Sequence, residues 1–210
     1  MNFQAHLENS FTIMKEEFVI VFLGGLLVQI LASCTLGILA GPLMGGYMLV
    51  LLAWLRERKK PVFNDLFSGM QRFGQLLPLF FLGIMLLIGF MLLVVPGVIF
   101  ATWWIYVIFF MADRKMSLGE AMSASKIKVI EGGFFMHLVF LFMISVVPVV
   151  LITMAAALIP PLAALQYFLF PLQSACQASL YLEQVEGLDP ENCFRPQIVP
   201  PPVKELPPSL

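Results

Sequence analysis

The sequence predicts an all-α integral membrane protein, with six transmembrane helices arranged as three helical hairpins. The chain has 210 residues, of which 60% are apolar and only 12% are charged, whereas ordinary soluble domains are about a quarter charged. Charged side chains are absent from three long runs, 18–55, 73–112 and 132–182. Because a bilayer core about 30 Å thick takes roughly 20 helical residues per crossing, each run is long enough for two crossings.

A helix-breaking pair stands near the middle of each run. Proline lacks a backbone donor, and glycine adopts turn conformations that other residues resist. We therefore expect the chain to reverse at these pairs and to form hairpins. One continuous kinked helix per run is the alternative, but forty helical residues would be about 60 Å long, twice the bilayer core. The predicted breaks are Gly41 with Pro42, Pro96 with Gly97, and Pro160 with Pro161.

The second helix of the first hairpin is expected to be short. Pro42 to Leu55 is only 14 residues, which corresponds to about 21 Å of helix. This helix either extends into the charged residues 56–59 or enters the membrane without crossing it, and we prefer the extension.

An amphipathic segment precedes each run, and we expect each segment to form a helix at the cytoplasmic membrane surface. Ser117 and Glu120 form a capping box at the start of the third segment. Three units of one amphipathic helix and one hairpin predict parallel pseudo-repeats at about 2–56, 62–112 and 116–183, within a membrane domain of residues 1–186. The apolar faces consist of Phe3, Leu7, Phe11, Met14 and Phe18 in the first segment, Phe63, Leu66, Phe67 and Met70 in the second, and Leu118, Ala121, Met122 and Val129 in the third.

The basic residues predict the orientation of the chain. All 12 Lys and Arg residues lie in the N-terminal arm, in the segments 56–72 and 113–131, or in the tail. Because basic residues are retained on the cytoplasmic side, we expect a multi-pass protein of a bacterial inner membrane with both termini in the cytoplasm. Six of these residues are candidate contacts for anionic lipid headgroups. They are Arg56, Arg58, Lys59, Lys60, Arg114 and Lys115.

Residues 187–210 differ in composition from the rest of the chain. Seven prolines lie within 190–208. Such a stretch favours an extended, solvated backbone and cannot form a core. We expect a disordered, proline-rich cytoplasmic tail, and a docking peptide is the alternative.

Motifs that would indicate catalysis are missing from the sequence. There is no HExxH, GxSxG, P-loop or CxxC motif, and no acidic residue within the three apolar runs, where ion-coupled pumps and intramembrane hydrolases place such residues. We therefore expect no enzyme activity, cofactor, metal site or nucleic-acid partner. His6 and His137 are expected to lie too far apart to form a pair, and His137 to lie at the interface with one end in water. The cysteines, expected to be structural thiols, are Cys34, Cys176 and Cys193.

Some polar residues lie at membrane depth. Gln166, Gln173 and Gln177 recur seven and four residues apart, so they share one face of the sixth helix. They either form hydrogen bonds between helices, worth about 1 kcal/mol each or less, or line a polar groove for a headgroup or a solute, and we prefer the first interpretation. An interfacial aromatic belt is also expected near the second predicted turn. Its members are Trp103, Trp104 and Tyr106.

Four stretches of the chain resemble a known group of proteins. They are AGPLMGG (40–46), WLRERKKPVFNDLFSGMQRFG (54–74), VVPGVIF (94–100) and MADRKMSLGEAMSASKIKVIEGGFF (111–135). They resemble the uncharacterised six-helix bacterial inner-membrane families that include the membrane domain joined to some glycerophosphodiester phosphodiesterases. The resemblance covers about 40–140 and implies a six-helix membrane fold. It implies no hydrolase activity, because the chain has no phosphodiesterase domain. The shared positions are 41–43, Gly46, 66–69, Pro96, Gly97, Asp113, Ser117, Glu120, Ala121 and Ser125.

Two functions agree with these observations. The first is a non-catalytic inner-membrane protein that organises the membrane or is a scaffold for lipid-related machinery. Its expected partners are membrane lipids, together with a second copy of the chain or another membrane protein. The alternative is a transporter or exporter of an amphipathic or lipid-like solute, which would use the glutamine face of the sixth helix.

Overall fold

The computed structural model describes residues 2–188, except for the side chain of Val94, and every regular element in this part of the chain is helical. The all-α class is thereby confirmed. The α-helices are α1 (Phe3–Glu16), α2 (Phe18–Cys34), α3 (Ala40–Glu57), α4 (Phe63–Leu66), α5 (Phe73–Leu76), α6 (Pro78–Leu92), α7 (Val94–Trp103), α8 (Val107–Ala112), α9 (Leu118–Glu131), α10 (Phe134–Leu141), α11 (Val147–Leu158) and α12 (Gln166–Glu186). Two 3-10 helices cover Ser68–Arg72 and Pro160–Leu165, and a π-helix covers Phe142–Val146.

The breaks within the apolar runs lie before most of the predicted helix-breaking residues. Near the predicted break positions, the chain leaves the helical conformation at residues 35–39, at Leu93 and at Ile159. Gly41, Pro42, Pro96 and Gly97 are therefore not break residues, because they lie inside α3 and α7. The physical reason is that the first turn of a helix has no use for the backbone N–H that proline lacks. Only Pro160 and Pro161 directly follow a break, at the start of a 3-10 helix.

Helix α3 is longer than the distance from Pro42 to Leu55. It has 18 residues, which makes it about 27 Å long, and it ends at Glu57. Arg58 follows in the left-handed conformation. The helix therefore extends into the charged segment, as the first of the two sequence interpretations expects.

By length and hydropathy, two helical segments of the described chain could cross a membrane, Val95–Ala112 and Phe134–Leu158. Two strongly bent pairs raise the number to four if each pair counts as one span. In these pairs α1 meets α2 at 100°, and Phe63–Leu76 meets α6 at 78°. Helices α3 and α12 are not among the candidates. Both contribute many buried side chains to the core, and both carry polar, charged or small residues among their apolar ones.

The core is built around α3, α8 and α12, which supply most of the buried apolar side chains. These helices pack against each other, and α2 packs against both α3 and α12. The segments that precede the apolar runs lie around this core in a regular order. The segment α4 with the following 3-10 helix packs on α3, α9 packs on α8, and α1 packs on α12. The first helix of the chain thus packs on the last one.

The second amphipathic segment differs from its predicted form, whereas the first keeps its apolar face outside the core. In α1 the predicted apolar residues Leu7 and Phe11 are exposed, which agrees with an apolar face on the membrane surface, and His6, Ser10 and Ile13 are buried. The second segment is not one helix but the succession of α4, a 3-10 helix and α5. The third segment begins with the predicted capping box.

Helix α12 ends where the predicted tail begins. Gly187 follows the helix with φ of 68°, a left-handed conformation that glycine adopts without strain. The predicted proline-rich tail lies outside the described residues from residue 189 onward.

Candidate functional site

Arg56 joins the ends of the three core helices. It lies in the last turn of α3, and its Nη1 and Nη2 atoms donate to the two carboxylate oxygens of Asp113 at 2.9 and 2.7 Å. Its Nε donates to Glu186 at 3.1 Å. Asp113 directly follows α8, and Glu186 is the last residue of α12. We call this set of three residues the Arg56 junction. A planar guanidinium with five donors suits such a two-sided contact.

The charges of the Arg56 junction stabilise one another. Burial alone raises the pKa of the Asp113 carboxyl, but the hydrogen bonds and positive charge of Arg56 outweigh burial and hold this pKa below its ordinary value. The Tyr181 hydroxyl donates a further hydrogen bond to Asp113 at 3.2 Å. Arg56 is therefore engaged with protein carboxylates rather than presented to lipid headgroups.

The other headgroup candidates differ in their surroundings. Arg58 donates to Glu16 at 2.6 Å and lies over the Trp54 ring at 4.2 Å. Lys59 lies 3.8 Å from Asp65. The three remaining candidates are exposed. They are Lys60, Arg114 and Lys115.

A second polar cluster joins α1 to α12 at buried positions. Asn9 Nδ2 donates to Ser179 Oγ at 2.9 Å, and this oxygen lies 2.9 Å from Nδ1 of His6. The other ring nitrogen, His6 Nε2, lies 2.8 Å from a carboxylate oxygen of Glu183. Ser10 Oγ donates to the Cys176 thiol at 2.8 Å. We call these contacts the α1–α12 polar cluster.

A neutral His6 satisfies every contact it makes in this cluster. Ser179 accepts from Asn9 and donates to Nδ1 of His6, and Nε2–H of His6 donates to Glu183, which assigns the tautomer from the hydrogen-bond network. Burial lowers the pKa of His6 below its ordinary value, and the Glu183 carboxylate offsets only part of this effect.

Ser179, His6 and Glu183 lie in the order of a nucleophile, a base and an acid at hydrogen-bond distance. Both Ser179 and His6, however, have an exposed fraction of 0%. Because the serine oxygen is also occupied by Asn9, a substrate has no approach to it. The arrangement functions as a buried contact between two helices.

Sequence reasoning missed this cluster, although a signal for it exists. His6, Asn9, Ser10 and Ile13 recur at the spacing i, i+3, i+4, i+7, which is that of one helix face. This face is largely polar, and only the apolar stripe beside it was considered as the packing face of α1.

His137 and Tyr106 form a third buried polar contact, which corrects two expectations. His137 Nδ1 donates to the Gly133 carbonyl at 2.9 Å, and Nε2 accepts from the Tyr106 hydroxyl at 2.8 Å. Both residues have an exposed fraction of 0%. His137 therefore has no end in water, and Tyr106 is not part of an interfacial belt. Trp103 and Trp104 are half-buried.

The three glutamines occupy one side of α12, and two of them contact neighbouring helices. Gln173 Nε2 donates to the Ile144 carbonyl at 3.1 Å. Gln166 Nε2 donates to Thr153 Oγ1 at 3.2 Å, and Gln177 is half-buried. The two bonds join neighbouring helices, as the first interpretation expects.

An apolar cleft of about 400 Å³ lies beside α1. Phe3 and Leu7 form its wall on α1, and the Cys176 thiol lies at its α12 wall. We call it the α1 cleft. Its other lining residues are Val139, Met143, Ile144, Pro148 and Leu172. The remaining cysteines are Cys34, which is exposed, and Cys193, which lies outside the described residues.

Comparison of the chain with protein-family models, curated proteins and solved structures found no match in any of the three. The resemblance of residues 40–140 to the six-helix inner-membrane families therefore stays a prediction.

Proposed function

We propose that this chain is a non-catalytic, multi-pass protein of a bacterial inner membrane that organises the membrane or is a scaffold for lipid-related machinery. The observation that supports this proposal most is the distribution of its apolar surface. Leu36, Met91, Leu92 and Leu158 lie within or next to the chain breaks at 35–39, Leu93 and Ile159, with exposed fractions of 87%, 81%, 75% and 85%. Soluble monomers rarely expose apolar patches of this kind over a large area. Lipid chains or a membrane-protein partner would cover them.

The inward-facing polar groups support a structural function. The Arg56 junction and the α1–α12 polar cluster both use charged or hydrogen-bonding side chains to hold helices together. In the described part of the chain, every buried side-chain nitrogen or oxygen has a hydrogen-bond partner. Such saturation favours a rigid arrangement of helices over a reactive site.

We further propose six crossings in three hairpins, with both termini in the cytoplasm. The packing of α1 on α12, of α4 on α3 and of α9 on α8 supports three parallel units about one axis. The Arg56 junction lies where α3, α8 and α12 end, so equivalent ends of the three units meet there. The positive-inside rule places these ends in the cytoplasm.

Deletion of the coding gene tests the proposed function. We expect altered envelope permeability, lipid composition or stress tolerance, restored by the wild-type chain. Arg56→Met should fail to restore the phenotype because it disrupts the Arg56 junction, whereas the matched variant Lys60→Met, which removes an exposed positive charge, should restore it. A deletion strain with a normal envelope in all three assays would contradict the proposal.

The transporter alternative depends on the glutamine face of α12. If the glutamines line a route for solute, replacing Gln166, Gln173 and Gln177 together with leucine should abolish flux at normal expression. The hydrogen bonds of Gln166 and Gln173 to neighbouring helices favour the scaffold. Loss of flux in a well-folded triple variant would reverse this preference.

A further inference from the structure

Helix α1 is attached to the core differently from the other two segments that surround it. The α4 segment packs on α3 through Leu66 and through Gly69, whose backbone lies against Pro42 and Gly46. Helix α9 uses Ser125, which donates to the Trp103 carbonyl at 2.7 Å. Among the three attachments, only that of α1 has an ionisable side chain, His6, at a fully buried position.

We infer that α1 is a pH-sensitive lid, which stays on α12 while His6 is neutral and leaves it when His6 takes up a proton. Release would uncover the Cys176 thiol, to which Ser10 donates, and would open the α1 cleft, of which Phe3 and Leu7 form one wall. This inference does not depend on the proposed function.

The first argument is the hydrogen-bond pattern around His6. In the docked helix, Nδ1 of His6 is an acceptor from Ser179, which itself accepts from Asn9. A proton on Nδ1 turns it into a donor and removes the acceptor that the serine hydroxyl uses. The network that joins α1 to α12 must then rearrange around a buried positive charge, which is costly in a water-excluded site.

The second argument concerns the charges that face His6 from the surrounding elements. Glu183 of α12 favours the protonated ring. Helix α10 contributes the Phe140 ring at 5.8 Å. It also carries His137, whose two nitrogens are occupied by Gly133 and Tyr106. The apolar run of α2 contributes no charge. Glu183 is thus the one acidic side chain in contact with His6 among the described residues.

The direction of the pH effect follows from linkage. The released helix has an ordinary histidine with a pKa of about 6.5, while the docked helix binds the proton less readily. Docking is therefore strongest above about pH 6.5 and weakens as the pH falls below it. Between the pKa of the docked helix and that of the released helix, the docking equilibrium should change by up to about tenfold per pH unit.

Hydrogen–deuterium exchange of the whole protein in nanodiscs tests the inference. Exchange of the α1 amides at pH 7.5 and 5.5 is divided by that of α9 in the same sample, which cancels the intrinsic pH dependence of exchange. In the wild type we expect α1 to lose protection relative to α9 by up to about tenfold at pH 5.5. An unchanged ratio would overturn the inference.

Two variants separate a switch from a merely structural histidine. His6→Gln cannot be protonated and should show the same ratio at both pH values. Glu183→Gln keeps an acceptor for His6 but removes the carboxylate that favours the proton in the docked helix. Docking should then weaken further at low pH, so the midpoint of release should move to higher pH. If His6→Gln leaves α1 unprotected at both pH values, the pH midpoint of α1 release in Glu183→Gln is the deciding measurement. A midpoint equal to that of the wild type would overturn the inference.

Discussion

Gln173 explains why a strongly polar side chain lies deep in an apolar run. Pro148 has no N–H, so it cannot donate to the carbonyl of Ile144, four residues earlier, as an α-helix requires. Gln173 on α12 donates to this oxygen instead. The chain also adopts a π-helix directly before this point, at Phe142–Val146. The glutamine thus replaces a missing backbone donor, and its function can be understood only from two helices together.

Gln173→Leu should lower the free energy of unfolding by about 1 kcal/mol, because the Ile144 carbonyl loses its donor. Chemical unfolding in detergent micelles measures the change, with Gln177→Leu as the control on the same face of α12. In a Pro148→Ala background, the alanine N–H can replace the lost donor, so Gln173→Leu should cost less. Equal costs in the two backgrounds would rule out this explanation.

Gly46 and Gly69 allow the backbone of α3 to touch the 3-10 helix of the following segment. A Cβ atom on Gly46 would collide with the Leu66 carbonyl oxygen, and one on Gly69 with the Pro42 carbonyl oxygen. Both obstacles are backbone atoms, which cannot move aside as a flexible side chain can. Close approach therefore requires glycine at both positions.

Gly46→Ala and Gly69→Ala should each destabilise the protein by about 1–3 kcal/mol or more, since the added methyl group overpacks the contact. Gly119→Ala is the matched control, because a Cβ there meets no atom within 4 Å. It should be neutral or stabilise α9 by up to about 1 kcal/mol, the difference between glycine and alanine in a helix. Thermal unfolding of the three variants measures these changes in stability. Equal losses of stability in Gly119→Ala and in the other two variants would contradict the close-packing argument.

At the scale of helices, the Arg56 junction holds together the ends of α3, α8 and α12. Asp113 accepts two hydrogen bonds from Arg56 and one from Tyr181. Its side chain has an exposed fraction of only 16%, so solvent screens the charge pair incompletely. The charged carboxylate is therefore a stabilising group in the folded chain.

The contribution of Asp113 should depend on pH in a defined direction. Its pKa is lower in the folded protein, so the stabilisation is fully present above the unfolded value of about 3.9. It disappears as the pH falls through the folded value. Asp113→Asn should thus cost about 1–3 kcal/mol at pH 7, and the difference in unfolding midpoint from the wild type should shrink toward pH 3. A difference that is constant from pH 7 to pH 3 would show that the charge is not responsible.

At the scale of the whole molecule, composition and charge-free runs were sufficient to predict an all-helical chain with apolar helices long enough for a membrane. Local signals also predicted single features correctly, such as the capping box of Ser117 and Glu120 at the start of α9. The Arg56 junction was not predictable, because its members are 57 and 130 residues apart in sequence and no periodicity connects them. The same holds for His6 and Ser179, which are 173 residues apart. Arg56 and its neighbours instead suggested a surface for lipid headgroups, since a charge near a helix end reveals nothing about a partner on another helix.

The proposed topology leads to a direct prediction for the native cysteines. Cys34 is exposed at the end of α2, beside the first chain break, and six crossings with cytoplasmic termini place this break on the outer side of the membrane. A membrane-impermeant maleimide added to spheroplasts should therefore label Cys34, whereas Cys193 in the tail should react only after permeabilisation. Leu36→Cys in a Cys34→Ala background repeats the test at a side chain that is 87% exposed. If both break positions react only in permeabilised cells while Cys193 reacts from outside, the orientation is the reverse of the one that the basic residues predict.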